Sequence, residues 1–177
     1  MKYLETERLI LRDYRADDIA DYYRLKSDPR TMFYLDDIRL SSLEEARADL
    51  DAVLADRNKE DRKFWFFHME LKDSHKQVGS IGYTVTGTTP RGAVVNAGYF
   101  SYPEFWNRGY TTEAMKKLLE YAFTEGGVYL VETGCNVNNV GSERVMRKCG
   151  MVRKNGAVPE DRAEYRLDKD EWEKLRL

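Results

Sequence analysis

The chain has 177 residues, the size of one domain, and is 42% hydrophobic and 34% charged, so it can close a core without disulfides or a structural metal. Its formal net charge is −2, with both signs interspersed. That argues against a nucleic-acid or anionic-membrane partner but leaves room for a local basic pocket.

Arg8 to Asp13 reads as a first strand, with Leu9 and Leu11 alternating against polar neighbours. Asp17 or Asp18 is positioned to cap a short helix carrying Ile19, Tyr22, Tyr23 and Leu25, which Asp28-Pro29 ends. Ser41 or Ser42 opens a second helix, with Glu44 and Glu45 in the first turn and Leu43, Ala46, Leu50, Val53 and Leu54 on its apolar face. Lys63 to Leu71 is a strand whose aromatic run, Phe64 to Phe67, suits a strand buried on both faces. Gln77 to Thr86 is its hairpin partner across the turn residues Asp73-Ser74-His75. Ala93 to Tyr102 is the next strand, stopped by Pro103. Ala114, Met115, Leu118, Leu119, Ala122 and Phe123 then recur at helical spacing until Gly126-Gly127. Val128 to Val137 is a strand and Ser142 to Lys148 a short helix ended by Gly150. A turn signal lies in Arg153 to Gly156, Tyr165 to Leu167 forms a last strand, and the tail from Asp170 reads as a short helix packed by Trp172.

No linker or repeat divides the chain, so residues 1–177 read as one domain of mixed α/β class. Its two cysteines, Cys135 and Cys149, and two histidines, His68 and His75, show neither CxxC nor HExxH spacing. No metal site is expected, and both cysteines read as buried, reduced thiols. His68 reads as a hydrogen-bonded strand residue. Met1 to Glu7 has no apolar core of a leader, and no apolar stretch reaches the ~18 residues of a membrane span, so a cytoplasmic protein is expected.

Chemistry is expected where the strand ending at Tyr102 runs through Trp106-Asn107-Arg108-Gly109 directly into a helix. Gly109 lets the backbone approach a ligand closely. The first helical turn leaves N–H groups unpaired, and the dipole adds about half a positive charge there, which suits a pyrophosphate. Arg108 can add a charge-assisted contact. By itself one glycine before a helix is a weak signal, and the Walker and GxGxxG patterns are both absent.

The run Gly98 to Ala114, containing Trp106-Asn107-Arg108-Gly109-Tyr110-Thr111, resembles the acetyl-CoA motif of the GNAT N-acetyltransferases. It is most similar to the branch of ribosomal-protein N-terminal acetyltransferases. Thr6 to Arg12 resembles the family's opening strand, Asn139 to Met151 its N-x-x-S…K-x-G-F segment, and Tyr165 to Trp172 its closing strand and tail. The resemblance implies a splayed mixed sheet of about seven strands with about four helices. It implies a β-bulge near Phe100 to Tyr102 that opens a gap toward the strand ending at Val137. Pantetheine would pair there with Phe100, Ser101 and Tyr102 like an added strand. The turn from Asn107 through Arg108, Gly109, Tyr110, Thr111 and Thr112 would bind the pyrophosphate, and Asn139 and Ser142 would face the thioester. The implied activity is transfer of an acetyl group from acetyl-CoA to a primary amine, a peptide N-terminus or a small molecule, by direct attack through a tetrahedral oxyanion, with a homodimer as one expected form. Ser142 is the candidate acid for the departing thiolate, against its simpler reading as a helix N-cap. Two competing readings are a non-catalytic acyl-CoA sensor or partner module and a generic phosphate-ligand protein.

Three positions depart from the family pattern. Thr111 replaces a small residue beside the phosphates. Met146 stands where many members place a tyrosine acid. Asn96 stands where the related branch carries a glutamate, and an amide cannot take a proton at neutral pH. Without that base, an α-amine of pKa near 8 is the better acceptor: on the order of 10% is neutral at pH 7, against roughly 0.04% of a lysine amine, a difference of about 3 kcal/mol.

Overall fold

The computed structural model describes residues 1–154 and 159–175. The turn signal at Asn155-Gly156 and the last two residues of the tail lie outside the described residues. Eight strands form one sheet: β1 (Tyr3–Glu5), β2 (Leu9–Asp13), β3 (Phe64–Leu71), β4 (Gln77–Thr89), β5 (Gly92–Ser101), β6 (Val128–Asn136), β7 (Val152–Arg153) and β8 (Arg162–Asp168). The helices are α1 (Ile19–Ser27), α2 (Leu43–Arg57), α3 (Tyr110–Thr124), α4 (Val140–Lys148) and α5 (Lys169–Leu175). The strand order is β1-β2-β3-β4-β5-β6-β8-β7, antiparallel except for β5 against β6. The described residues thus hold eight strands and five helices, in line with the expected sheet of about seven strands and about four helices plus the tail. The extra strand, β1, is three residues long, too short to show an alternation, and is held by pairing Tyr3 to Glu5 with Ile10 to Arg12. The extra helix, α5, is the tail segment; Trp172 is buried in it, its ring 5.3 Å from that of Phe123.

The aromatic run on β3 explains the two layers. Successive side chains point to opposite faces. Phe67 joins the large core that includes the α3 residues Ala114, Met115, Leu118, Leu119, Ala122 and Phe123. Phe66, its neighbour, packs instead against the smaller cluster of Tyr14, Tyr22, Ala46 and Leu50, contributed partly by α1 and α2. Helices therefore cover both faces of the sheet. The α2 start is as expected, with the Ser42 side chain accepting the Glu45 N–H at 3.1 Å. Asp18 does not cap α1 through its side chain; it holds Arg12 with both oxygens, at 2.7 and 2.8 Å.

Gly79 and Gly82 do not interrupt β4. They allow close packing: a Cβ on either would lie 2.2 Å from a carbonyl oxygen of the adjacent strand, Phe100 or Trp65. His68 is buried in β3, but among the described residues neither ring nitrogen has a hydrogen-bond partner; Nδ1 lies 3.2 Å from Glu70, poorly aligned for a bond. Arg12 takes the carboxylates around it, bonding Asp18 and Glu70. Burial, and then the Arg12 charge, hold the His68 pKa below its ordinary 6.5, which keeps the ring neutral.

Candidate active site

The parallel ladder between β5 and β6 runs only from Ala93↔Val128 to Asn96↔Glu132. Beyond it β5 stays with β4 as far as Ser101, and β6 stays with β8 as far as Asn136. The two strands therefore part, leaving a gap. The bulge expected at Phe100 to Tyr102 is not there, because β4 and β5 keep an unbroken register from Gly79↔Ser101 to Val85↔Val95. The irregularities lie earlier, opposite Val85–Gly87 and at Ala93/Val94. They fall at the closed end of the ladder, separated from the opening by the regular pairs Val94↔Leu130 to Asn96↔Glu132.

Antiparallel alternation decides which groups face the gap. The Tyr102 N–H donates to Val78 O at 3.1 Å, so the backbone groups of Tyr102, Phe100 and Gly98 point to β4. Those of Ala97, Tyr99 and Ser101 point the other way. Ala97 O accepts from Thr133 Oγ1 at 2.8 Å across the gap, and Ser101 O from Trp106 Nε1 at 2.8 Å. The N–H groups of Tyr99 and Ser101 and the Tyr99 carbonyl have no β6 partner. Of the three backbone positions expected to meet pantetheine, Ser101 has its N–H on the gap side and Phe100 and Tyr102 do not. The Tyr102 side chain is also engaged elsewhere, donating to Gln77 Oε1 at 3.1 Å and accepting from Arg24 Nε at 2.9 Å.

At the outer end of β5 the turn delivers the chain into α3. Asn107 and Gly109 both have positive φ, 59° and 82°. Asparagine tolerates that region and glycine enters it freely, so the turn is one these two residues are suited to make. Arg108 and Gly109 are exposed, and Tyr110, Thr111 and Thr112 open the helix. Thr111 Oγ1 lies 3.5 Å from Ser101 Oγ, so its side chain is turned toward β5. The Gly109 end of α3 carries no side-chain cap, and its first-turn N–H groups have no intrahelical partner.

A clamp fixes this turn to the far side of the sheet. Glu113, in the first turn of α3, accepts from Thr6 Oγ1 at 2.5 Å, the Arg8 N–H at 2.9 Å and Arg8 Nε at 2.7 Å. Arg8 also donates to Arg108 O at 3.1 Å and lies over the Tyr110 ring at 4.4 Å. The opening segment and the glycine turn, 100 residues apart, are thus one mechanical unit.

On the other bank α4 begins with Asn139, whose side chain accepts the Ser142 N–H at 3.1 Å. Asn139 is therefore the N-cap, and the simple cap reading of Ser142 is corrected: Ser142 is the third helical residue, and its hydroxyl is free of that task. It lies 2.8 Å from Tyr99 Oη, which also donates to Ser142 O at 3.1 Å. Tyr99 was not singled out as a site residue from sequence. Its spacing held the signal, because a residue adjacent to Phe100 must present its backbone to the opposite edge. Burial drives its phenol pKa well up, more than the Ser142 bond lowers it, so the hydroxyl remains a donor. Met146, in place of the family's tyrosine, is fully buried in the core. The cysteines are both free and buried; desolvation raises Cys135 and pushes Cys149 up to about 12, which removes both as thiolate nucleophiles. Among the described residues no cluster of three or more His, Cys, Asp or Glu fits a metal, and no helix is long and apolar enough to cross a membrane.

Comparisons with known proteins converge on one family. A family model described as an acetyltransferase (GNAT) domain matches residues 8–152. A Bacillus subtilis protein named "Uncharacterized N-acetyltransferase YnaD" is 29% identical over 96% of this chain and 99% of its own length. Among solved structures, the ribosomal-protein-S5-alanine acetyltransferase of Vibrio fischeri aligns with a TM-score of 0.82 at 16% identity, over 97% of this chain and 99% of that one. The spermidine N-acetyltransferase of Vibrio cholerae, solved with CoA and spermine, aligns with a TM-score of 0.79 at 17% identity, over 93% and 97%. At these identities the structural likeness establishes the fold.

Proposed function

Because the chain belongs to the GNAT acetyltransferase family, we propose that it moves an acetyl group from acetyl-CoA to a primary amine by direct attack, with Ser142 as the acid. The observation that carries this reading is the β5–β6 gap. It begins after Asn96↔Glu132, has the Tyr99 and Ser101 N–H groups along one wall, and stands beside the N-terminus of α3 and Ser142 of α4.

The residues present fit acetyl-CoA. The gap-side groups of Tyr99 and Ser101 offer a strand edge to the amides of a pantetheine arm. Asn107 to Thr112 offer backbone N–H groups, the helix dipole and the Arg108 charge to a pyrophosphate. The thioester, when bound, supplies an activated acyl carbon and a thiolate leaving group. As the amine nitrogen bonds to that carbon, the C–S bond breaks, the amine's proton passes to solvent and the sulfur takes one from Ser142. Gap-facing N–H groups stabilise the oxygen on which charge develops. Ser142 donates to the sulfur and regains its proton from solvent, while Tyr99, which burial keeps protonated, orients the Ser142 hydroxyl through their 2.8 Å bond. With Asn96 unable to act as a base, the acceptor is an α-amine or another amine of low pKa.

The test is a thiol-release assay with acetyl-CoA against a panel of amines, beside a CoA-binding titration. Gly109→Glu places bulk and negative charge at the pyrophosphate and forces a side chain to φ 82°. It should weaken CoA binding by about 100-fold or more, since a charge is opposed and a strained backbone imposed. Normal CoA binding by that variant, or CoA binding by the parent with no amine accepted, overturns the proposal.

A further inference from the structure

On the opposite face of β5 lies a cavity of about 210 Å³ between the sheet and helices α1 and α2. It is smaller than the roughly 300–1,000 Å³ of drug-sized ligand sites, so it holds one compact group. Ile38, Val53, Phe64, Phe66 and Phe100 form much of its wall. Phe100 is the link to chemistry, because it stands between Tyr99 and Ser101, whose backbone groups face the gap. Gly98 and Asn96 share its face of β5, two and four residues back. A Cβ at Gly98 would meet nothing within 4 Å, so there is open space between the cavity wall and the Asn96 position.

The charges in the wall decide what enters. Among the described residues Lys26 and Asp49 are the only charged side chains lining it, and they are bonded to each other. Asp49 also accepts from Tyr22 Oη at 2.7 Å. The pair is neutral, and no further carboxylate lines the cavity to hold a second ammonium.

We infer that this cavity selects the acceptor: a compact α-amine bearing one apolar side chain, with polyamines and unsubstituted amines as poor substrates. This rests on the proposed acetyl transfer and adds the substrate class. The side chain sits among Phe64, Phe66 and Phe100, and its amine is thereby placed beside the gap over Gly98. A polycation would bring unpaired charge to an apolar wall, which is costly.

The experiment measures kcat/KM with acetyl-CoA for phenylalaninamide, leucinamide, glycinamide and spermidine, and for a pentapeptide that begins with Phe. Phenylalaninamide and glycinamide carry the same kind of amine and differ only in the apolar body. Burial of that body should give phenylalaninamide an advantage of about tenfold or more. Ala52→Phe, on the exposed rim of the cavity, should abolish that advantage while CoA binding is kept. Phe64→Glu, at a position already 37% exposed, should shift preference toward spermidine. Equal rates for glycinamide and phenylalaninamide, or a preference for spermidine in the parent protein, overturn the inference while the transfer reaction stands. A peptide that outperforms phenylalaninamide overturns the compact acceptor. No acetylation of any amine points instead to failure of the acetyl-transfer reading.

Discussion

Replacing Glu113 with Gln tests whether the Thr6–Arg8–Glu113 clamp holds in place the Asn107–Gly109 turn, proposed above to bind the pyrophosphate. The Oε1 atom takes the Thr6 hydroxyl and the Arg8 N–H, roles an amide oxygen can keep. The Oε2 atom faces the Arg8 guanidinium, with Nε at 2.7 Å and the ion pair at 2.6 Å; there the amide would present N–H against N–H. Charge-assisted bonds contribute about 1.5–3 kcal/mol when enclosed. The Arg8 side chain is 42% exposed, so water screens much of this, and about 1–2 kcal/mol is the expected cost. In a domain of this size that corresponds to a drop of about 3–6 °C in Tm. Burial opposes the Glu113 charge, but the bonds from Thr6 and Arg8 outweigh it and hold the pKa below the ordinary 4.5. A depressed carboxylate pKa contributes stability above the unfolded value and loses it as pH falls through the folded one. The Tm difference between parent and Glu113→Gln should therefore be full at pH 7 and shrink below about pH 4. Because Arg8 also holds Arg108 O, CoA affinity should fall several-fold in the variant. A Tm difference that is the same at pH 7 and pH 3.5, or one at pH 7 with CoA affinity untouched, would refute the clamp.

Two further outcomes follow from the geometry. Ser142→Ala should lower kcat by about 100-fold and Tyr99→Phe by about tenfold, with CoA Kd nearly constant, in steady-state assays paired with binding titrations; an equal loss in Kd would place both residues in binding instead. Trp172→Ala should remove about 3 kcal/mol in urea unfolding, because a buried ring packed on Phe123 leaves a void; a loss under 1 kcal/mol would mean α5 adds little to the core.

Long, strongly periodic elements were readable from the chain, and the α3 face from Ala114 to Phe123 is the clearest case. Its six apolar positions all lie in the core. β1 was not readable, since its three residues are placed by the pairing of Tyr3 to Glu5 with β2 and not by any pattern of their own. The glycine turn into α3 was readable because its signal is local: Gly109 directly before a helix start. The clamp was not. Glu113 looks like an ordinary first-turn acid, and its partners Thr6 and Arg8 are brought to it by the fold over more than 100 residues. For the same reason His68 was misjudged as hydrogen-bonded. Its competitor for the nearby carboxylates, Arg12, is beside it only through the pairing of β2 with β3.

In the proposed reaction Ser142 and Tyr99 would meet a departure at one position from another strand. With Met146 in the core, α4 brings no phenol to the gap. Tyr99 brings one from β5, and it reaches the hydroxyl that Asn139 has left free by capping the helix itself. No such substitute is evident for Asn96, which shares its strand face with Gly98 and Phe100 and points away from Tyr99. In the proposed reaction the proton leaving the amine and the proton reaching the thiol are therefore handled on opposite faces of β5, and the protein would furnish only the acid side. On the base side the demand falls on the acceptor's own pKa, so kcat/KM for a competent amine should rise with pH through that amine's pKa, and not through a pKa of the enzyme.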